Sequence, residues 1–361
     1  MTGSGADQSH HTMTQRTTPG YEFDRPIIIV AAPRSGSTLL FETLSHAQSL
    51  WTIGGESHMI FEHIDKLNPQ LGVCQSNRLV AEDADRTTIE RIREAFITRL
   101  RNPEGQLYTD MQASTENCGP RFLEKTPKNS LRIPFLEKVF PDARYIYLYR
   151  DPRENLSSMI EAWRSSDFVT YPGLPDWHGP WSLMLPPDYQ QVRGKSLEEV
   201  VAFQWQAANQ AILDDLDELA ADRWTAVSYA ELIADAPATV ERLCKFGEIP
   251  FNASLRAHCE TALPLSRYTA TAPQAGKWRM NAAMIERVMP GLQPLIARIE
   301  SAVAAHSSSP VLLSGPADRA ADIATLQPQR NERCPCGSGL RFKHCHGILQ
   351  TAQNKAYGTE G

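Results

Sequence analysis

Residues 27–40 of this chain read IIIVAAPRSGSTLL, so an apolar run gives way to small polar residues and then to leucines. The apolar run, residues 27–32, is rich in β-branched residues and predicts a strand buried on both faces, as in a parallel sheet. The leucines at positions 39, 40 and 44 recur at helical spacing. The stretch therefore predicts a strand, a loop of small residues and a helix.

The loop between this strand and helix, residues 33–38, has the composition of an anion-binding site. Gly36 allows backbone N–H groups to approach an anion, and the start of the helix adds partial positive charge. The loop lacks the Gly-Lys pair of the Walker loop, so we do not expect Mg²⁺-ATP chemistry there. A turn with Ser and Thr caps that binds nothing is the alternative. The side chains available to an anion are Arg34, Ser35, Ser37 and Thr38.

Two later stretches, residues 143–149 and 224–229, also predict strands, and helical patterns alternate with them. This alternation predicts an α/β fold with a mainly parallel central sheet. Ligands of such sheets bind at the carboxyl ends of the strands, where both loop 33–38 and Arg150 lie.

Capping residues mark the starts of two helices. Asp151 is a good N-cap, and Pro152 is well suited to the first position of a helix. Ser196 and Glu199 form a capping box for a helix that runs to about Leu219. Both helices follow a predicted strand or loop, which supports the α/β interpretation.

The composition excludes several classes of protein. Hydrophobic residues make up 42% and charged residues 22% of the 361 residues, which excludes a mainly disordered chain. The net charge of −6 excludes a strongly basic polyanion binder, so we expect no nucleic acid on the main domain. No apolar run reaches the roughly 20 residues of a membrane span. The polar residues 1–24 predict a disordered lead-in without an apolar leader, which favours a cytoplasmic location.

Four segments in chain order resemble the sulfotransferases that use 3′-phosphoadenosine-5′-phosphosulfate (PAPS). Residues 32–40 resemble the 5′-phosphosulfate loop of that family, and residues 149–158 its 3′-phosphate motif. Residues 227–250 resemble the segment whose Tyr lies near the adenine, and residues 276–279 the segment that closes on the cofactor. The resemblance implies a P-loop-kinase-like, three-layer α/β fold over residues 25–305 that binds PAPS and releases 3′-phosphoadenosine-5′-phosphate (PAP). The cofactor-binding residues it implies are Arg34, Ser35, Gly36, Ser37, Thr38, Arg150, Ser158, Tyr229, Lys277, Trp278 and Arg279.

The resemblance also implies catalytic cations. Sulfuryl transfer moves a charged group between two oxygens in line, so catalysis depends on positioning and on cations aimed at developing charge. Arg34 would stabilise charge on the leaving 5′-phosphate. Lys125 matches a Lys that contacts the sulfuryl oxygens in related enzymes, although a surface charge is the alternative. Because Thr126 and Pro127 follow it, we expect Lys125 to lie in a loop.

The general base is open between Glu56 and His58, with a surface position without a catalytic role as the alternative. Cytosolic steroid and phenol sulfotransferases carry a His two residues after the matching Lys, where this chain has Pro127. Residues 54–58 resemble the arrangement in other branches, including the tyrosylprotein enzymes, which use a Glu in the loop after the first helix. Glu56 would then remove the acceptor proton. His58 is the rival, because an unperturbed His titrates nearer neutrality.

We expect the acceptor site in residues 57–120 and 163–189. The second segment is full of Pro, Gly and aromatic residues without periodicity, and residues 165–190 predict a long irregular loop. The tryptophans at 163, 177 and 181 either line an apolar acceptor pocket or pack this loop onto the core. The acceptor itself, a small molecule or a biosynthetic intermediate with a hydroxyl or amine, is not named by the sequence.

Two other functions remain possible at this point. A nucleotide-dependent kinase of P-loop fold is disfavoured by the missing Gly-Lys pair and because the strand at Tyr149 ends in Arg150 rather than an acidic residue. A non-catalytic adaptor with a zinc-binding tail is disfavoured by the intact Arg34, Arg150 and Ser158.

The C-terminal residues 330–347 hold three of the 7 cysteines. Three thiolates and one imidazole can give tetrahedral zinc coordination. A disulfide is the alternative, but two of these thiols are separated by one residue and the other four cysteines are scattered, as in a reduced cytosolic protein. The predicted zinc ligands are Cys334, Cys336, Cys345 and His346, with His344 as the competing nitrogen ligand.

The same residues, 330–347, closely resemble the SEC-C zinc motif, best known at the C-terminus of the preprotein-translocase ATPase, where it is a docking tail. The resemblance implies a structural Zn²⁺ in a small module that is unfolded without metal. Residues 306–329, rich in Ala, Ser and Pro, predict a linker before it. Flanking basic residues suit an acidic protein partner or RNA, and a solvated basic face is the alternative.

Overall fold

The computed structural model describes residues 22–71, 75–111, 119–261, 263–264, 266–268, 276–307 and 313 of the chain. The strands are β1 (Ile27–Val30), β2 (Leu123–Lys125), β3 (Arg144–Tyr149), β4 (Val169–Tyr171), β5 (Trp181–Ser182) and β6 (Trp224–Ser228). A central sheet holds β2, β1, β3 and β6 in that order, and every neighbouring pair in it is parallel. The α/β interpretation with a central parallel sheet is therefore confirmed.

Helices connect these strands. They are α1 (Ser37–Leu44), α2 (His58–Glu62), α3 (Arg86–Ile97), α4 (Tyr108–Met111), α5 (Ile133–Val139), α6 (Pro152–Ser165), α7 (Leu197–Asp217), α8 (Tyr229–Ala234), α9 (Ala236–Gly247), α10 (Ala253–Glu260) and α11 (Ala282–His306). The two predicted caps are present: the Asp151 carboxylate accepts the N–H groups of Arg153 and Glu154, and Ser196 and Glu199 form the box that opens α7.

The sheet is buried on both faces, as the uninterrupted apolar run of β1 predicts. Ile27 and Ile29 pack on one face with residues of α1, α8, α9 and α10. Ile28 and Val30 pack on the other face with residues of α3, α5, α6, α7 and α11. The expected three-layer arrangement, helices on both sides of one sheet, is therefore confirmed by the structure.

The sequence patterns did not predict β2. It pairs with β1 so that Ile29 lies opposite Lys125, which is the last residue of this strand. The expectation of a loop position for Lys125 was therefore wrong. The reason is that β2 is three residues long and two of them are charged, so it lacks the apolar run by which buried strands are recognised.

Residues 165–190 are more regular than the sequence predicted. β4 and β5 pair antiparallel across this segment. Trp181 is fully buried, and its ring makes edge-on contacts with Trp163, Trp177 and Tyr189 at centroid distances of 5.3, 4.8 and 5.5 Å. Of the two alternatives for the tryptophans, the structure therefore supports packing of this segment onto the core. The sequence did not reveal these contacts because the residues that make them do not recur at a regular spacing.

The ordered domain begins before the predicted boundary at residue 24. Phe23 is buried and packs edge-on against Phe122 and Phe140. Residues 1–21 of the predicted lead-in, most of the predicted linker 306–329 and all of residues 330–347 lie outside the described residues. Within the described part of the chain, no helix combines the length and apolarity needed to cross a membrane.

Candidate active site

The loop between β1 and α1 has a backbone shape that depends on glycine. Gly36 is the N-cap of α1 and has a φ of 102°, and Arg34 also has a positive φ, of 67°. A Cβ on Gly36 would lie 2.3 Å from a ring carbon of Tyr229, closer than real contacts allow. Position 36 is therefore restricted to glycine both by its backbone and by the aromatic ring beside it.

Asn155 on α6 clamps this loop. Its Nδ2 donates to the Pro33 carbonyl at 2.8 Å, and its Oδ1 accepts from Ser35 Oγ at 3.0 Å and from Trp205 Nε1 at 3.1 Å. The Ser35 hydroxyl, expected to face the anion, is thus engaged with Asn155. Sequence reasoning missed Asn155, although it lies inside the 149–158 segment; an Asn one helical turn after the N-cap was the available signal.

Two guanidinium groups converge beside the loop. Arg150 Nη1 donates to the Arg34 carbonyl at 3.2 Å, and Arg34 Nε lies 3.4 Å from Ser158 Oγ. The Arg34 guanidinium stacks over Phe168 at 4.4 Å, and that of Arg150 over Tyr229 at 4.7 Å. Burial, and then the positive charge of Arg150, lower the pKa of Arg34. Two neighbouring, half-buried guanidinium groups are suited to binding a polyanion.

The site also contains an ion pair between Lys125 and Glu56. Lys125 Nζ donates to Glu56 Oε1 at 2.6 Å and to Thr38 Oγ1, on the phosphate loop, at 3.0 Å. The Lys125 side chain is 3% exposed and that of Glu56 is 21% exposed. A surface charge, the alternative for Lys125, is thus excluded, and the base candidate lies at the end of the phosphate loop.

His58, the rival base, is the first residue of α2 and lies beside Glu56. Its Nδ1 is 3.8 Å from Glu56 Oε2. Burial, and then the positive charge of Lys128, lower the pKa of His58, which favours its neutral form. Both candidates line the same cleft, so the choice between them stays a prediction.

The structure brings one residue of the predicted closing segment to the cleft. Lys277 lines the cleft and its Nζ donates to Glu161 at 2.7 Å. Trp278 and Arg279 do not line it among the described residues; the Arg279 guanidinium lies 5.5 Å from the Trp278 ring instead. Glu154, which sequence reasoning missed, accepts the Gly276 N–H at 3.0 Å and lies 3.6 Å from Arg150.

One cleft of about 1150 Å³, at the carboxyl ends of the strands, is lined by Arg34, Thr38, Glu56, His58, Arg150, Ser158 and Lys277. Lys125 is not among the lining residues but contacts two of them, Glu56 and Thr38. Both apolar and polar side chains line the cleft, and the ion pair of Lys128 with Glu62 is part of its wall. None of the three tryptophans of the irregular segment lines this cleft in the described structure. The segments expected to hold the acceptor, residues 57–120 and 163–189, line part of the cleft with the apolar side chains of Met59, Phe168, Val169, Leu183 and Met184.

No candidate metal cluster of His, Cys, Asp or Glu side chains occurs within the described residues. The predicted ligands Cys334, Cys336, Cys345 and His346 lie outside that part of the chain.

Family models add to this geometry. Residues 26–253, more than half of the chain, match the model described as the sulfotransferase family. This chain belongs to the sulfotransferase family. Residues 330–348 match the SEC-C motif, which agrees with the pattern of cysteines in the tail. For this chain, the identities of the cofactor-binding residues and of the general base remain predictions.

Individual proteins of known structure or curated name are similar to parts of this chain. The chain is 24% identical over 252 residues to protein-tyrosine sulfotransferase A of Caenorhabditis elegans, covering 69% of this chain and 57% of that protein. The chain spans about half the length of the curated relatives that match its main domain. Its tail is 86% identical over 21 residues to the protein translocase subunit SecA of Anaplasma marginale, covering 6% of this chain and 2% of that one. The crystal structure of mouse sulfotransferase SULT7A1 complexed with PAP is 12% identical, with a TM-score of 0.40 over 84% of this chain and 89% of that one.

Proposed function

We propose that this protein transfers a sulfuryl group from PAPS to a hydroxyl or amine of an acceptor. One observation carries the proposal: Lys125 Nζ contacts both the candidate base Glu56 and Thr38 of the phosphate loop. A cation and a base meet there at the end of an anion site. Membership of the sulfotransferase family supports the same chemistry.

The donor set of the cleft fits PAPS. Arg150 and Ser158 would hold the 3′-phosphate, and Arg34 with the backbone of loop 33–38 the 5′-phosphosulfate. Gly36 has a positive φ, and a glycine at such a position lets backbone N–H groups approach an anion closely. Tyr229 would lie beside the adenine. When bound, PAPS supplies an activated sulfuryl group.

The residues of this chain would then act in three ways. Glu56 accepts the proton of the acceptor as the new oxygen–sulfur bond forms and the bond to the 5′-phosphate breaks. Lys125 contacts the sulfuryl oxygens, and Arg34 stabilises the charge that develops on the leaving phosphate. For Glu56 to take that proton, Lys125 has to exchange its hydrogen bond to the carboxylate for one to the sulfuryl oxygens.

The acceptor half of the cleft supports a small molecule with an apolar body. Met59 and Val169 remain half exposed on its wall although they are apolar. Apolar side chains left open to water in a concave site favour an apolar ligand. We therefore propose a small-molecule or biosynthetic-intermediate acceptor whose hydroxyl or amine reaches Glu56.

We further propose that the tail binds one structural Zn²⁺ through Cys334, Cys336, Cys345 and His346. The SEC-C match supports this ligand set. A basic module of this kind suits an acidic protein surface as its partner. A cytoplasmic location is proposed on the same grounds, because thiolate ligands and the free, buried Cys244 and Cys259 suit a reducing compartment.

Thermal denaturation with two nucleotides tests the transfer proposal. PAP should raise the melting temperature of the full chain strongly, and ATP with Mg²⁺ should not, because only PAP carries the 3′-phosphate that Arg150 would hold. A shift with ATP and Mg²⁺ alone would favour a kinase. The absence of any shift would favour a non-catalytic adaptor.

A further inference from the structure

Glu124 is a buried carboxylate that the transfer chemistry leaves unused. It lies in β2 directly before Lys125 and is 1% exposed. Burial raises the pKa of Glu124, and the hydrogen bonds and the positive charge of Lys125 offset only part of that rise. A carboxyl in such a location is costly to fold unless other groups satisfy it.

One oxygen of this carboxyl collects three donors. Glu124 Oε1 accepts from Ser57 Oγ, from Thr126 Oγ1 at 2.8 Å and from Asn129 Nδ2 at 3.1 Å. Glu124 Oε2 is buried without a hydrogen-bond partner among the described residues. A carboxyl with hydrogen bonds to only one of its two oxygens is unfavourable for stability, because the unpaired buried oxygen keeps its desolvation penalty. The residue is therefore better explained by what it holds together.

The donors connect the two halves of the candidate catalytic pair. Ser57 is the chain neighbour of Glu56, and Thr126 is the chain neighbour of Lys125. The Ser57 N–H also donates to Thr126 Oγ1 at 2.7 Å. Two segments that are far apart in sequence are thus joined at Glu124 Oε1, one residue away from the contact between Glu56 and Lys125.

We propose that Glu124 is a positioning residue that sets the distance between the base Glu56 and the sulfuryl-contacting Lys125. The inference rests on the proposed function, in which these two residues act on the acceptor and on the sulfuryl group. Glu124 itself does not line the cleft in the described structure, so it acts through Ser57 and Thr126. Without it, the loop that carries Glu56 loses its link to the end of β2.

The experiment compares Glu124→Ala and Glu124→Gln in the full chain, with Glu137→Ala as the matched control. Glu137 is a partly exposed carboxylate away from the cleft, paired with Arg223 and hydrogen-bonded by Tyr145. Turnover is measured in the reverse direction: the sulfuryl group of 4-nitrophenyl sulfate passes to PAP, which forms PAPS and releases 4-nitrophenolate. PAP affinity is measured by calorimetry. Hydrogen exchange of residues 54–58 reports the position of the loop without any need for turnover.

We expect Glu124→Ala to lower turnover about a hundredfold while the Kd for PAP stays within about twofold, because misplacement of a catalytic group by about 1 Å has that effect. Exchange at residues 54–58 should rise in the same variant. Glu124→Gln keeps an acceptor oxygen within reach of Ser57 and Thr126 and should recover part of both. If Glu124→Ala does not fold, Ser57→Ala removes one of the three donors and should change the same quantities in the same directions.

Several results would overturn the inference. For Glu124→Ala these are unchanged hydrogen exchange at residues 54–58, turnover within about twofold of the wild type, or a loss of PAP affinity as large as the loss of turnover. An equal fall in turnover in Glu137→Ala would also contradict it. A wild-type protein that binds no PAP contradicts the proposed function instead. In that case the exchange measurement alone decides whether Glu124 holds the loop.

Discussion

Lys125 shows how a residue's role depends on groups that are remote in sequence. Its sequence context allowed either a solvated charge or a catalytic cation. The structure buries its ammonium between Glu56 and Thr38, and a buried charge without a partner would be strongly unfavourable. The predictions at this scale concern single side chains on the walls of the cleft.

Replacing Glu56 with Gln tests the base. An amide cannot take up the acceptor proton, so turnover should fall by about a hundredfold or more, the contribution typical of general base catalysis. PAP binding should be retained, because the predicted phosphate contacts come from Arg34, Arg150 and Ser158. The measurements are steady-state transfer and calorimetry. Retained turnover would remove Glu56 from the mechanism, and a larger loss in His58→Gln would assign the proton to His58.

Lys128 should give the stability of the protein a measurable pH dependence. Burial lowers the pKa of Lys128 to about 8 from its usual 10.5, although its ion pair with Glu62 opposes this. The unfolded chain therefore binds more protons between these two pH values, so Lys128 makes folding more favourable as pH rises from about 8 to 10.5. Urea unfolding of the wild type and of Lys128→Met measures the difference. The expectation fails if the difference in unfolding free energy between the two proteins stays constant over that range.

At the scale of elements, the loop from β1 to α1 is shaped by three other elements. Asn155 of α6 clamps its carbonyl and hydroxyl groups, Trp205 of α7 holds Asn155, and Tyr229 at the start of α8 fills the space beside Gly36. A change in any of these contacts should alter the loop as a unit. The nucleotide site is therefore assembled by several helices that meet at the carboxyl edge of the sheet.

Substitution of Gly36 by Ala tests this packing. The left-handed backbone and the contact with Tyr229 should lower the free energy of unfolding by about 1–3 kcal/mol and weaken PAP binding. Gly173→Ala is the control, since a Cβ there meets no atom within 4 Å. Chemical denaturation and calorimetry provide the two quantities. Wild-type stability and PAP affinity in Gly36→Ala would contradict the packing argument.

At the scale of the whole molecule, the chain combines a domain of the sulfotransferase family with a C-terminal segment that matches the SEC-C motif. Among the residues that the structure describes, Lys277 is the last along the chain to line the cleft, and it precedes α11. Leu313 still packs on the core and donates its N–H to Glu300. Zinc binding in the tail and nucleotide binding in the domain should therefore be independent.

A chain that ends at residue 320 tests this independence. The full-length protein should hold about one zinc per chain, as a single tetrahedral site requires, and the shortened protein none. PAP affinity should be equal in the two, because the shortened protein keeps the cleft and the contacts of Leu313. Metal analysis and calorimetry measure both. Zinc in the shortened protein, or a loss of PAP affinity, would place the metal or the tail at the cleft.

Much of the architecture could be predicted from adjacent residues. The β1–α1 unit follows from a β-branched run next to small polar residues, and the starts of α6 and α7 follow from Asp151 and from the capping box of Ser196 and Glu199. These signals are local, because strand burial and helix capping depend on neighbours within a few positions. The strand β2 was not predicted, because its pairing with β1 makes it a strand and its own three side chains carry no strand pattern.

The sequence determined the chemical groups of this protein: a phosphate loop with Arg34, a second cation at Arg150, a carboxylate at Glu56 and a cysteine-rich tail. The tertiary structure decided which of them meet. The 2.6 Å contact of Lys125 with Glu56, the clamp of Asn155 and the junction at Glu124 each join segments far apart in the chain. Such contacts depend on how the strands pair and the helices pack, and no spacing within one segment encodes that.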